Sequence, residues 1–185
     1  VYIGQQVPIA ELAIRGGEEQ FSSENRTQGQ KLACPNCNGA LELRAPDQTL
    51  RIGCPYCNHL ISVESGIVSI LAKLAGKPSP SIPLGSKGTF AEGELTVIGY
   101  LRRSAYVDNT WWPFHEYLLY SPAIGFRWLV QSDGHWSYVQ PVAPGAVETR
   151  NFVYEGKQFA HYQVGQLRVD EVYGEFYWRV EVGEK

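Results

Sequence analysis

Hydrophobic and polar positions change rhythm along the chain. From Leu84 onward, apolar residues recur at every second position in short runs separated by turn formers, the period of half-buried strands. ELTVIGYLRR sets Leu95, Val97, Gly99 and Leu101 against Thr96, Ile98 and Tyr100. EYLLYSPAIGFRWLVQ gives two strands about a Ser-Pro-Ala-Ile-Gly turn, with Phe126, Trp128 and Val130 on one face. Asp133-Gly134 is a strong hairpin signal, and NFVYEGKQFAHYQV folds back at Glu155-Gly156. GEFYWRVEV then places Phe176, Trp178, Val180 and Val182 on one face of a last strand. Six to eight short strands predict an antiparallel β-sandwich or a small β-barrel over residues 84–185.

Upstream the rhythm differs. In GIVSILAKLAGK, Ile67, Ile70, Leu71 and Leu74 fall at i, i+3, i+4 and i+7, which predicts a short helix stopped near Gly76. KPSPSIPLGSKG follows as a Pro-rich connector, so residues 64–83 form a helix and a link. Residues 31–63 have short apolar edges, Leu41 and Leu43 on one side and Leu60, Ile61 and Val63 on the other, as two small hairpins require. Residues 1–30 begin VYIGQQVPIAELAIRGG, with room for a short strand and a turn, and continue as polar EEQFSSENRTQGQ. They have the character of the tail of a preceding domain and a linker. The chain opens on Val1 and contains no Met, which fits a piece of a longer parent chain.

Residues 31–63 also hold every cysteine of the chain, as Cys34-Pro35-Asn36-Cys37-Asn38 and Cys54-Pro55-Tyr56-Cys57-Asn58. Two disulfides or one metal are the alternatives. The spacing C-x2-C-x16-C-x2-C is that of a zinc ribbon. In each repeat, Pro sets φ for a tight turn and Asn accepts a left-handed backbone, which aims N–H groups at the sulfurs. Four Cys ligands close a tetrahedral shell and leave no position for water or substrate, so the expected Zn²⁺ is structural. Such an ion folds a lobe too small to have a core of its own.

Composition excludes several classes. The formal net charge is −3, and Lys31, Arg44 and Arg51 are nearly balanced by Glu42 and Asp47 in the ribbon, so nucleic acid is not an expected partner. No apolar run approaches the ~20 residues of a membrane helix. Asn25-Arg26-Thr27 matches a glycosylation sequon, but a thiolate site suits a reducing compartment, and the expectation is cytoplasmic. Of the 23 aromatics, 20 lie in the β segment.

Those aromatic blocks carry a resemblance. RRSAYVDNTWWPFHEYLLYSPAIGFRWLVQSDGHWSYVQP, with YEGKQFAHYQ and VYGEFYWRVEVGE, resembles the bacterial domain of unknown function 4178 over about Leu84 to Lys185. The resemblance implies a ribbon of CPxC type ahead of such a domain, with Asn38 and Asn58 where relatives more often have Gly. It also implies longer relatives with two ribbon-plus-domain units, of which this chain looks like the second. It names no activity and supplies no catalytic residue.

Candidate chemistry is sparse. His115 and Glu116 are adjacent in a strand and point to opposite faces. No nucleophile elbow, zincin helix or phosphate loop is present. Tyr117, Phe126, Trp128, Phe176 and Trp178 alternate with aliphatics and belong to the core. Trp111, Trp112 and Phe114 lie in DNTWWPFH, a loop-like run broken by Pro113, and form the candidate binding surface for another protein or another domain of the parent chain. The sequence thus favours a non-enzymatic binding or scaffold module. An alternative is a sensor of a small ligand or polyamine at Asp170, Glu171 and Glu175. A cryptic enzyme using His135 or His161 as base is the third reading.

Overall fold

The structure, a computed structural model, describes residues 2–6, 13–15, 31–64, 66–76, 78–148, 151–160 and 165–184. Four strands build the ribbon: β3 (Lys31–Ala33), β4 (Ala40–Glu42), β5 (Arg51–Gly53) and β6 (His59–Glu64). They are preceded by β1 (Tyr2–Gln6) and β2 (Ala13–Arg15) and followed by β7 (Ile67–Lys73). The downstream strands are β8 (Lys87–Phe90), β9 (Gly93–Val107), β10 (Thr110–Ser121), β11 (Gly125–Ser132), β12 (His135–Pro141), β13 (Val153–Tyr154), β14 (Lys157–Gln158) and β15 (Gln166–Phe176). A 3-10 turn spans Pro144–Ala146.

Eleven strands join one antiparallel sheet in the order β1-β12-β11-β10-β9-β15-β5-β6-β7, with β8 on β9 and β2 on β8. The sheet is open; the expected small barrel does not close. Its middle strands are buried on both faces. Ile98, Leu101, Leu118, Trp128, Val172 and Phe176 pack on one face beneath the C-terminal residues Tyr177, Trp178 and Val180. Leu95, Val97, Tyr100, Tyr117, Leu119 and Leu129 pack on the other beneath Ile82, Leu84 and Phe90. The strict alternation expected of ELTVIGYLRR breaks once, because Leu118 pairs with Gly99 while Leu119 pairs with Val97. Ile98 is the extra residue of a bulge, and one extra residue moves every later side chain to the opposite face. Leu95 and Val97 therefore share a face with Tyr100 rather than with Leu101.

Tight turns are as the sequence predicts at Asp133-Gly134 (φ 48° and 75°) and Glu155-Gly156 (φ 49° and 72°). Three expectations are corrected. The predicted helix is β7: Ile67, Val68 and Ile70 are β-branched, and their backbone pairs with β6 from Glu64↔Ile67 to His59↔Lys73. DNTWWPFH is not a loop. Asp108 (φ 47°) and Asn109 (φ 59°) make a third hairpin turn, and Trp111, Trp112 and Phe114 lie within β10. Pro113 is tolerated because β11 pairs with β10 only from His115 onward, which leaves β10 an edge strand there. The last strand ends at Phe176, and the chain turns back so that Gly183 N–H donates to Val169 O (2.8 Å) and Val169 N–H donates to Glu184 O (3.1 Å).

The first residues supply strands to this same sheet, β1 against β12 and β2 against β8. The predicted linker over residues 18–30 lies outside the described residues, as does His161.

Candidate functional site

Each Cys-Pro-x-Cys-Asn repeat folds into the same turn. In the first, Asn38 N–H donates to Cys34 O (2.8 Å) and Cys34 N–H to Gly39 O (2.9 Å). In the second, Asn58 N–H donates to Cys54 O (3.1 Å) and Cys54 N–H to His59 O (2.9 Å). Both Asn residues hold φ 58°, the left-handed conformation for which Asn ranks next to Gly. The turns meet at Tyr56, whose ring lies against Gly39 where a Cβ would project. Asn58 also donates its side-chain amide to Leu74 O (3.0 Å), tying the second turn to the end of β7.

The four sulfurs converge. Cys34 Sγ lies 3.6 Å from Cys57 Sγ and Cys37 Sγ lies 3.9 Å from Cys54 Sγ, with all four within 4.8 Å of one another. A disulfide needs about 2.05 Å; the thiols are free. Bonds of about 2.3 Å to a central ion give tetrahedral edges of about 3.8 Å. The cage thus has the size of a four-thiolate metal site and can hold a metal ion. Cys34 and Cys54 are buried and pack with Leu41, Leu43, Ile52 and Ile61 in a small apolar core. Burial pushes the Cys54 thiol up to about 12. Burial raises Cys57 too, but Asn36, Cys37 and His59 outweigh it and bring that thiol to about 6. Four thiolates within 4.8 Å of one another would repel, so they cannot all ionise without a cation among them.

The ribbon is joined to the main sheet by pairing and by one buried carboxylate. Gly53 and Ile52 pair with Gly174 and Glu175 of β15. Glu175 is 2% exposed, and its carboxylate accepts from Arg44 N–H (2.9 and 3.0 Å) and Ala45 N–H (3.2 Å) and contacts Thr49 Oγ1 (3.2 Å). Arg44 adds a guanidinium at 3.7 Å. Burial pushes the carboxyl above its ordinary value, while the two backbone N–H groups pull it back. Asp170 and Glu171 are occupied elsewhere. Asp170 accepts from Arg168 Nε (2.7 Å) and from Ser104 Oγ, and Glu171 pairs with Arg102 Nε (3.1 Å). Asp170 is the extra residue of a bulge in β15 and Glu171 follows it, whereas Glu175 lies further along the strand, opposite Ile52 of β5.

The tryptophans separate. Trp111 pairs with Tyr106 across β10 and β9, their rings 5.1 Å apart, and the Arg168 guanidinium sits 4.3 Å above the Trp111 ring. Trp112 faces the other way and is 60% exposed. Its cross-strand partner is Ala105, and Ala105 pairs in turn with Leu167, which is 37% exposed. Phe114, half-buried, continues this face beside Arg103. The row Trp112–Ala105–Leu167 is invisible in sequence until the Asp108-Asn109 turn fixes the register.

Residues 83–185 match the family described as Domain of unknown function (DUF4178). The chain belongs to this family. No curated protein and no solved structure matches it. The DUF4178 region contains β8 to β15, and the four cysteines lie ahead of it.

Within the DUF4178 region the histidines divide. Tyr100 OH and His115 Nδ1 are 2.8 Å apart, and burial followed by the nearby Arg102 charge holds His115 below its ordinary value. His135 is exposed at the start of β12. Arg127 grips Glu92 through Nε (2.8 Å) and Nη2 (2.6 Å), and Tyr138 OH donates to the same carboxylate (2.7 Å). Arg103 lies 3.4 Å from Glu116. These partners fasten the strands to one another. Among the described residues, no helix is long and apolar enough to cross a membrane.

Proposed function

We propose that the chain is a non-enzymatic binding module in which Cys34, Cys37, Cys54 and Cys57 hold a structural Zn²⁺ and the end of the main sheet contacts another protein or another domain of a longer parent chain. Four thiolates favour zinc over hard cations, which prefer oxygen, and a shell closed by protein supplies no open coordination position. A reducing, cytoplasmic setting suits such thiolates.

The observation carrying the contact reading is the row Trp112–Ala105–Leu167. A tryptophan left 60% exposed beside an alanine, on a strand with an open edge, presents a large apolar ring at little entropic cost. The polyamine reading has less support, since Asp170, Glu171 and Glu175 already have cationic or hydrogen-bonding partners.

Trp112→Ala and Leu167→Ala test the reading. Affinity for the partner, identified by co-purification with the wild-type chain, should fall by roughly 30-fold or more in Trp112→Ala, with the melting temperature nearly unchanged because the ring lies outside the core. Undiminished capture by both variants would refute the surface.

A further inference from the structure

β7 ends the sheet on the ribbon side, and among the described residues no strand pairs with its outer edge. Its backbone therefore offers a row of N–H and C=O groups, which edge strands normally guard with charges, proline or a covering element. Another open stretch, at Thr110–Phe114, carries Pro113. β7 has no proline, and its one charge, Lys73, is at its last position. Instead it exposes apolar side chains: Ile67 is 68% exposed, and Ile70 and Leu71 are each 45% exposed. Leu71 is the extra residue of a bulge and has no partner on β6, since Ile70 pairs with Ile61 and Ala72 with Leu60, so the stretch ahead of the break in register is Ile67 to Leu71.

The order of residues on that edge selects its occupant. Ile67-Val68-Ser69-Ile70-Leu71 has the same chemical pattern in both directions about Ser69. An antiparallel strand of the same sequence, turned by a two-fold axis through Ser69, puts Ile67 opposite Leu71, Val68 opposite Ile70 and Ser69 opposite Ser69. This is the self-complementarity that an isologous dimer requires. The two Lys73 side chains then fall at opposite ends, about 26 Å apart at about 3.3 Å per residue, beyond the ~8 Å reach of unscreened charge. We infer that β7 is a homodimerisation edge, through which two copies of the chain join their sheets by antiparallel β7–β7 pairing. The proposal concerns β7, separated from Trp112 on β10 by β9, β15, β5 and β6, and does not depend on the contact reading given above.

Sedimentation of the full, metal-loaded chain at increasing concentration tests it. Wild type should approach twice 20.7 kDa. Ile67→Lys, which adds a charge to an already exposed site, should raise the dissociation constant by at least about 30-fold without changing metal content or circular dichroism. Ser69→Cys provides a register test that does not rely on disruption. Directly opposed strand residues have Cα atoms about 4.5–5.5 Å apart, within disulfide range, so mild oxidation should yield a reducible covalent dimer. Lys73→Cys and wild type, oxidised alike, should not. A wild-type chain that stays at 20.7 kDa up to about 100 µM, a dimer that survives Ile67→Lys, or equal cross-linking from Lys73→Cys would each overturn the proposal.

Discussion

At the scale of single residues, the join between ribbon and main sheet is a glycine row. Gly174 of β15 pairs with Gly53 of β5 on one side and Gly99 of β9 on the other. A Cβ on Gly53 would lie 2.8 Å from Val172 O, and one on Gly99 would lie 2.5 Å from Glu175 O. Gly174 adds φ +87°, and its Cβ would collide with Ile98 O and lie 2.8 Å from Leu84 Cδ1. Gly134 offers a control, with φ +75° and nothing near its Cβ direction. Gly134→Ala should cost about 1 kcal/mol, the left-handed penalty alone. Gly174→Ala should cost about 3 kcal/mol or more, because backbone cannot yield as a side chain can. Equal losses in urea denaturation would mean that the close approach carries no energy. The cysteines were legible at this scale because their spacing alone encodes the chemistry. Glu175 was not: its burial depends on Arg44, Ala45 and Thr49, more than 120 residues away.

Among elements, legibility followed locality. Turns set by two residues, such as Asp133-Gly134, could be placed from sequence, whereas β7 could not. Its spacing satisfies a helix face and its β-branched residues satisfy a strand, and only the free edge of β6 decides between them. The bulges at Ile98 and Asp170 have no turn residue to announce them. Glu64, at the end of β6, is a comparable long-range tie. It accepts from Arg51 of β5, itself buried, and from Arg179 Nη2 of the C-terminal segment (2.8 Å). Hydrogen bonds from Arg51 and then Arg179 bring its carboxyl from 4.5 down to about 2. On acidification the unfolded chain takes up that proton first, so the stabilisation is whole above pH 4.5 and disappears as pH falls toward 2. Glu64→Gln should therefore be less stable than wild type at pH 7, with the gap narrowing from pH 4.5 downward. A gap independent of pH would assign the effect to packing instead of charge.

For the whole molecule, the decisive feature is that the ribbon is not a bead on a linker. β5 extends the same sheet that contains the DUF4178 strands, and Cys54 follows directly on Gly53, which pairs with Gly174. The carboxylate of Glu175 fixes the segment from Arg44 to Thr49 onto β15, and Leu50 N–H donates to Phe176 O (2.8 Å). Ala45, Leu60 and Leu74 from the upstream half pack in the same core as Phe176 and Val180. A metal that organises the two cysteine turns consequently braces one edge of the DUF4178 core, and its binding free energy is spread over both halves. If even a third of the ~10 kcal/mol typical of a structural zinc reaches global stability, removal should lower the melting temperature by roughly 7–13 °C in a chain of this size. The transition should remain single, and tryptophan fluorescence, to which Trp178 contributes from 5.0 Å beside Phe176, should report it together with the far-ultraviolet signal. Cys54→Ser should reproduce the chelated state, since Cys54 is the buried ligand adjoining the paired glycine. A chelated chain whose tryptophan transition stays in place while metal is lost would show two independent units, contrary to the shared core and the continuous sheet.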